Sequence, residues 1–332
     1  MKAVVLAAGF GSRLQPFTSN RPKHMLPVGG KPILLHGIEY IRDVLNITDI
    51  IIVVGYQRHY IMNYFKDGKE FGLNIQFVIQ HMNGKKGLGA ALELVEGYVT
   101  TDFCLYLADN LFGANLKKVV DLHSELGSSV TLHVEEHSNP SRFGVVMREG
   151  NKIISVVEKP INPPSNLVIT GFYVFSPAIF HALAKLKPSG RGEYELTDAI
   201  QIMIEDGYTV ICSEISGWRQ DIGFPSDILE SNEHLMDDKG SIILSDTRDC
   251  KIIKPVYIGE HCKLSASTIG PYTTIGKNSS ILNSRVEHTV VLENSVIEEC
   301  SLNKSVVGSK CNIKGLTGHS VKLGDFSTII SG

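Results

Sequence analysis

At 332 residues the chain is long for one ordinary core, and a composition of 43% hydrophobic and 20% charged residues is that of a folded rather than a disordered protein. Lys and Arg number 32 against 35 Asp and Glu, a formal net charge of -3. That balance argues against a nucleic-acid binder, so any polyanion site must be a local pocket. The six cysteines, at 104, 212, 250, 262, 300 and 311, include no C-x-x-C pair and no tight cluster. Reduced thiols are therefore expected, not a disulfide framework or a zinc site. No window approaches the ~18 consecutive apolar residues of a membrane helix. A cytoplasmic protein with no membrane or nucleic-acid partner is the expectation.

Lys2–Ala7 is the first buried apolar run, and it passes directly into a Gly-containing loop, so it is predicted as a strand and not as a signal-peptide core. Apolar residues at 34, 35, 38, 41 and 45 predict an amphipathic helix from Ile33 to Leu45. Asp49–Val54 is predicted as a second strand, followed by a helix near His59–Phe65. Ile75–Ile79 is a third strand, Gly89–Gly97 a helix, and Phe103–Ala108 a fourth strand ending in Asp109-Asn110. Strands alternating with helices predict an α/β domain over residues 1–237, and ligands bind at the carboxyl ends of such strands.

From about Cys250 the texture changes. Apolar residues recur at 258, 264, 269, 275, 281 and 286, in steps of five or six, and the dipeptide Ile-Gly appears at 258, 269 and 275. That step is the hexapeptide repeat of a parallel β-helix, in which each flat face turns one aliphatic side chain inward and successive coils stack them. A second domain is therefore predicted over 250–332, and Asp237-Asp238-Lys239-Gly240 is read as the start of a linker.

The segment that carries most chemistry is Leu6-Ala7-Ala8-Gly9-Phe10-Gly11-Ser12-Arg13-Leu14, followed by Arg21-Pro22-Lys23. A Gly-containing turn after a buried strand lets backbone N–H groups approach phosphate oxygens. It lacks the Gly-Lys-Ser/Thr ending of a P-loop, and Leu14 occupies the place of the third Gly of a dinucleotide fingerprint. It offers instead two cations, Arg13 and Lys23, suited to a triphosphate.

This segment resembles the signature loop of the sugar-nucleotide pyrophosphorylases, and the likeness runs through essentially the whole chain. Gln80, Gly87, Leu88 and Gly89 resemble that family's base-recognition segment, and Leu107-Ala108-Asp109-Asn110 its metal-binding strand end. Arg142 to Val146, Glu158-Lys159-Pro160 and Thr170-Gly171-Phe172-Tyr173 resemble its sugar-phosphate site. Gly190 to Asp198 and Trp218 to Gly223 complete the set. The repeat region is similar to the tail of the long-form glucose-1-phosphate thymidylyltransferases. The chain departs from that branch at Ala8, where many of them carry a second Gly, and at Gly89-Ala90-Ala91.

The resemblance implies a Rossmann-like nucleotidyltransferase domain on a mixed, mostly parallel sheet, followed by a small left-handed β-helix. It implies transfer of a nucleotidyl group from a nucleoside triphosphate, dTTP before UTP, to a sugar-1-phosphate such as glucose-1-phosphate. Arg13, Lys23, Asp109, Lys159 and Asp221 are the implied catalytic set, with Asp109 and Asp221 holding Mg²⁺. Leu6, Ala8, Gly9, Gly11, Ser12, Arg13, Gln80, Gly87 and Asn110 would bind the nucleotide. Gly144, Glu158, Lys159, Thr170 and Gly171 would bind the sugar phosphate. A homo-oligomer is expected.

Two alternatives stay open: a UTP-dependent enzyme for glucose-1-phosphate or N-acetylglucosamine-1-phosphate, and a catalytically silent sugar-nucleotide sensor. Each residue also has a plain reading, since Asp109 and Asp221 can cap turns and a Gly often serves only the backbone. His133 to His137 matches the H-x-x-E-H zinc pattern, but Ser129–Val134 alternates like a strand, on which the two rings would sit ~13 Å apart. Three Asn-x-Ser/Thr triplets lack a secretion signal, and His261, His288 and His319 are read as surface filler in the repeats.

Overall fold

Residues 1–214 and 217–331 are described by a computed structural model. The chain clusters into two compact units, Met1–Gly9 with Gly37–Arg219, and Phe10–His36 with Gln220–Gly332. The expected partition followed chain order, with 1–237 ahead of 250–332. The contacts instead group the segment after the first strand, and everything from Gln220 onward, with the repeats.

The first unit is built on a nine-stranded mixed sheet. Its order is Asn74–Ile79, Asp49–Val54, Lys2–Ala7, Phe103–Leu107, Leu167–Phe175, Val130–Glu136, Val210–Glu214, Lys152–Glu158 and Gly144–Glu149. The first four strands are mutually parallel, and Leu167–Phe175 then runs antiparallel to Phe103–Leu107. Lys2–Ala7 is buried from Ala3 onward because both its edges are paired and both its faces are covered. Its Val4 and Leu6 join Val53, Leu105, Leu132 and Phe175 in the main core. The helix predicted at Gly89–Gly97 is shorter, Leu88–Glu93, and a separate 3-10 turn follows at Glu96–Tyr98. Gly97 lies in this turn.

In the second unit the repeats form three parallel sheets of six, five and five short strands. One face stacks Ile258, Ile275, Val291 and Val307 in register. A second stacks Leu264, Ile281, Ile297 and Ile313, and the third Ile269, Val286 and Leu302. These residues, with Cys300 and Cys311, are the core of the coil. This is the β-helix that the five- and six-residue steps predicted.

The corners explain the polar filler. Residues 261, 266, 272, 278, 283, 288, 294, 299, 304 and 310 all have positive φ, and none is glycine. A non-Gly residue in that region costs on the order of 1 kcal/mol, least for Asn, which occupies 278, 283 and 294. The cost is offset because the corner N–H groups from 266 onward reach the previous coil, as Asn294 does to the carbonyl of Lys277 at 3.0 Å.

Two expectations about the junction change. Asp237-Asp238-Lys239 does not open a linker: the helix Pro225–Lys239 runs through it, and the Asp237 carboxylate accepts the Tyr272 hydroxyl at 2.9 Å. The first coil strand is already Ile242–Ile243, paired with Tyr257 and Ile258. All six cysteines are free, and burial pushes the Cys104 thiol up to about 12. Among the described residues no helix is long and apolar enough to cross a membrane.

Ile297 is fully buried between Ile281 and Ile313. Ile297→Ala is expected to cost about 2–5 kcal/mol, while Lys263→Ala, on an exposed position, stays within about 0.5 kcal/mol. Urea unfolding followed by far-ultraviolet circular dichroism checks this. Equal midpoints for the two variants would contradict a stacked aliphatic core.

Candidate active site

In the sheet unit, the strand Phe103–Leu107 delivers Asp109 and Asn110 just past its carboxyl end. The buried Tyr106 hydroxyl donates to the Asn110 carbonyl at 2.7 Å and holds this turn. The Asn110 side chain then has its orientation decided by its neighbours. A guanidinium can only donate, so Arg219 Nη1 takes the Asn110 Oδ1, at 2.9 Å. The amide nitrogen is thereby turned to Asp109, and Nδ2 donates to Oδ1 of that carboxylate at 2.9 Å.

Arg219 is itself fixed. Its Nε and Nη2 donate to Glu135 Oε1 at 2.8 and 2.6 Å, its Nη1 also reaches the Thr170 carbonyl at 3.3 Å, and it lies over the Phe143 ring. The arginine side chain is only 6% exposed. Glu135, Arg219 and Asn110 thus form a chain of charge-assisted hydrogen bonds that ends on Asp109.

The strand Leu167–Phe175 has a register shift between Ile169 and Tyr173, where Thr170 and Gly171 sit. Gly171 has φ 97°, and an added Cβ would meet Asn110 Nδ2 and Leu107 at 3.1 Å, so a side chain at this kink would be strained. Thr170 is buried, and its hydroxyl is taken by His133, by the ring at 2.7 Å and by the carbonyl at 3.1 Å. Its side chain secures the kink. His133 to Glu136 of the H-x-x-E-H run lie on the strand Val130–Glu136, as the alternation predicted, and His133 is buried.

Lys152–Glu158 ends in the second polar group. Glu158 accepts Thr197 Oγ1 at 3.1 Å and Arg191 Nη2 at 3.2 Å, and lies 3.1 Å from the Lys159 ammonium. Lys159 has φ 42° and its N–H donates to the Phe143 carbonyl at 3.0 Å. A lysine held in the left-handed region immediately before a proline is backbone strain of the kind that clusters at functional sites. Gly144 lies beside this pair, where a Cβ would be 2.7 Å from Thr197 Cγ2. Arg191 also donates to Glu195 at 2.8 Å, which makes the group rich in carboxylates. Burial, then Glu195 and Glu158, raise the Asp198 carboxyl above its ordinary value, against the pull of Arg191.

The base segment lies close to neighbouring backbone. Gly87 approaches protein backbone: a Cβ there would lie 2.5 Å from the Tyr194 carbonyl oxygen. Gln80 Nε2 donates to the Lys85 carbonyl at 3.2 Å. Leu6 points into the core, so only its backbone is available, and its carbonyl already accepts the Ala108 N–H. Ala8 packs against Gly55, and Gly9 is exposed.

In the second unit, Gly11 turns with φ 70° into the 3-10 helix Ser12–Leu14. A Cβ at Gly11 would lie 2.9 Å from Lys23 Cβ, and Thr18 Oγ1 donates to the Gly11 carbonyl at 2.8 Å. The loop therefore closes on the stem of Lys23. Ser12 is exposed, and the Arg13 guanidinium stacks over Phe224, 4.9 Å from the ring centroid. Asp221 precedes the helix Pro225–Lys239, whose first N–H groups are capped by Asp227 at 2.8 and 2.7 Å. The helix has its own cap, so Asp221 is not needed for that task.

The predicted residues fall in both units: Asp109, Asn110 and Gly171 in one group and Gly144, Glu158 and Lys159 in another in the first unit, and Gly11, Ser12, Arg13, Lys23 and Asp221 in the second. Sequence reasoning assigned no role to Glu135 or Arg219. Their pairing spans 84 residues and leaves no local pattern. Among the described residues no three His, Cys, Asp or Glu side chains gather as a metal cluster.

Comparison with known proteins gives a consistent family. Residues 2–238 match the Nucleotidyl transferase family. The chain is 44% identical over 241 residues to UTP–glucose-1-phosphate uridylyltransferase AglF of Haloferax volcanii, covering 72% of this chain and 98% of that one. It is 32% identical over 317 residues to a glucose-1-phosphate thymidylyltransferase of Streptomyces griseus, covering 90% and 88%. A solved UDP-glucose pyrophosphorylase in complex with UDP-glucose matches with TM-score 0.64 and 27% identity, over 72% of this chain and 99% of the other.

Two expectations follow from the sheet unit. Arg219→Lys keeps the charge but loses the planar fork, and is expected to lower stability by about 1–3 kcal/mol in urea unfolding. An unchanged midpoint would show that the fork is not needed. For Asp198, a folded pKa above the unfolded one favours folding at low pH, and that contribution is lost as pH rises through the folded value. Asp198→Asn should therefore gain stability relative to the wild type as pH rises from about 4 towards 7. A pH-independent difference would contradict the assignment.

Proposed function

Because the chain belongs to the nucleotidyl transferase family, we propose that it joins a pyrimidine nucleoside triphosphate to a sugar-1-phosphate, giving a nucleoside diphosphate sugar and pyrophosphate. The observation that carries this reading is the Glu158–Lys159 pair: a strained lysine beside a carboxylate fixed by Thr197 and Arg191. A phosphate and a neighbouring sugar hydroxyl require one fixed cation and one fixed acceptor, and this pair offers both.

In the proposed reaction an oxygen of the sugar phosphate attacks the α-phosphorus. A new P–O bond forms there as the bond to the β-phosphate bridging oxygen breaks, and pyrophosphate leaves with that electron pair. The attacking phosphate is already ionised at neutral pH, so no protein base is required. The difficulty is to hold two anions together, and charge neutralisation and positioning supply the rate. Lys159 holds the sugar phosphate, Lys23 the triphosphate, and Arg13 the developing pyrophosphate. Gly9, Gly11 and Ser12 offer backbone N–H groups to the triphosphate, and Glu158 accepts a sugar hydroxyl.

The donor chemistry fits Mg²⁺, which prefers carboxylate and phosphate oxygens and needs only one or two protein ligands. Asp109 and Asp221 would hold it, and when bound it supplies positive charge to the phosphates. Asn110 and Arg219 orient the Asp109 carboxylate for that purpose.

The base is a pyrimidine in this proposal, with Gln80 facing its imide edge and dTTP the first choice. The likeness to a uridylyltransferase supports UTP as the alternative, and the two differ by the 5-methyl group of the base and the 2′-hydroxyl of the sugar, the methyl alone being worth about 1–3 kcal/mol. The sensor alternative is disfavoured because a silent subunit has no need for the metal carboxylates. A cytoplasmic homo-oligomer completes the proposal. It is supported by the free thiols and by the exposed Phe326 and Ile330 of the last coil.

Pyrophosphate release over a grid of triphosphates and sugar phosphates tests the reading. dTTP and UTP should be used with glucose-1-phosphate, and ATP and GTP should give kcat/KM at least ~10-fold lower. Asp109→Asn and Asp221→Asn should each reduce turnover ~100-fold or more at saturating Mg²⁺. Comparable rates with ATP and dTTP would overturn the base assignment, and near-normal turnover of Asp109→Asn the metal assignment.

A further inference from the structure

Glu293, Ser309 and Asp325 lie sixteen residues apart, one per coil, and form a single column on the β-helix. The column is internally ordered: the Ser309 N–H donates to Asp325 Oδ1 at 2.8 Å. The other carboxylate oxygen, Oδ2, receives Arg21 Nη2 at 2.9 Å. The same nitrogen donates to Ser309 Oγ at 2.8 Å, and Arg21 Nη1 lies 3.5 Å from Glu293. The arginine side chain is 14% exposed and that of Asp325 only 3%, so this is a largely desolvated ion pair and not a surface contact.

A second contact lies beside it. Pro16 rests on Gly324, where an added Cβ would be 2.8 Å from Pro16 Cβ. Pro16 is three residues after Arg13, and Arg21 two residues before Lys23. The coil therefore grips both ends of the segment that joins the two triphosphate cations. Between those ends, Thr18 bonds the Gly11 carbonyl, and the Lys23 stem packs against the Gly11 turn.

We propose that the β-helix is a positioning element of the reaction, with Arg21 and Asp325 as positioning residues that set the Gly11–Lys23 loop for the triphosphate. This rests on the function proposed above. A purely structural ion pair would stabilise the fold and leave the kinetics of the folded enzyme unchanged. A positioning pair instead separates the two substrates. The loop holds the triphosphate, and the sugar phosphate is held by Lys159 in the other unit. Misplacement of a binding group by about 1 Å can cost up to ~100-fold in rate.

The test uses the full chain and two variants that disturb the grip differently. Asp325→Asn removes the charge, and Gly324→Ala inserts one methyl group against Pro16. Lys314→Ala, which removes an ion pair to Glu298 elsewhere on the coil, is the control. Both grip variants should lower kcat/KM for the nucleoside triphosphate ~10-fold or more while KM for the sugar phosphate stays within about 2-fold, and the control should match wild type. Asp325→Glu should recover part of the loss. Hydrogen exchange provides the second readout: amides of residues 10–24 should lose protection in the grip variants, with coil amides unchanged.

Wild-type kinetics and wild-type protection in both grip variants would overturn the proposal. Equal losses for both substrates, or for the Lys314 control, would also overturn it, because they would report general destabilisation. If the wild-type chain turns over no triphosphate and sugar-phosphate pair, the proposed function fails, and hydrogen exchange alone decides whether the coil orders the loop.

Discussion

Holding two phosphate-bearing anions against each other is the constraint that organises this protein. Two like unit charges 4 Å apart repel by about 4 kcal/mol at the effective dielectric of a protein surface. The chain has no overall positive charge to offset that, with 32 basic and 35 acidic residues. Its cations must therefore be individually placed, and the proposed site offers the means. Lys159 is held by a strained backbone next to a carboxylate that is itself triply contacted. Asp109 is oriented through Asn110 by an arginine that cannot turn away, because Glu135 and Thr170 hold it.

The β-helix meets the same need for placement with different physics. Its aliphatic columns stack in register, and that regularity is stiff enough to carry corner residues in the left-handed region at every five or six positions. A stiff prism also presents outward columns at fixed spacing. The Glu293–Ser309–Asp325 column uses that spacing to hold one arginine from three successive coils. The segment 10–36 therefore groups with the repeats rather than with the strand that precedes it.

What could be read from the sequence was what is local. Buried runs such as Lys2–Ala7 and Phe103–Ala108 and the five- and six-residue steps after Cys250 each depend on neighbouring positions, and each is present in the structure. The α/β and β-helix architecture was legible for that reason. Interactions between distant residues were not. Arg219 meets a glutamate 84 residues away, and Arg21 an aspartate 304 away, and neither pair has a spacing rule. Composition also misled at particular places. Asp237 to Gly240 has the composition of a linker, but tertiary contacts extend the helix Pro225–Lys239 through its charged residues.

The central claim is direct displacement at the α-phosphorus, with electrostatic placement in place of a protein nucleophile. Exchange of labelled pyrophosphate into the nucleoside triphosphate tests it most directly. Label is expected to enter the triphosphate when the nucleoside diphosphate sugar is present to be cleaved, and none with enzyme, triphosphate and Mg²⁺ alone. Exchange without any sugar substrate would mean that the enzyme takes up the nucleotidyl group covalently, and would contradict the account.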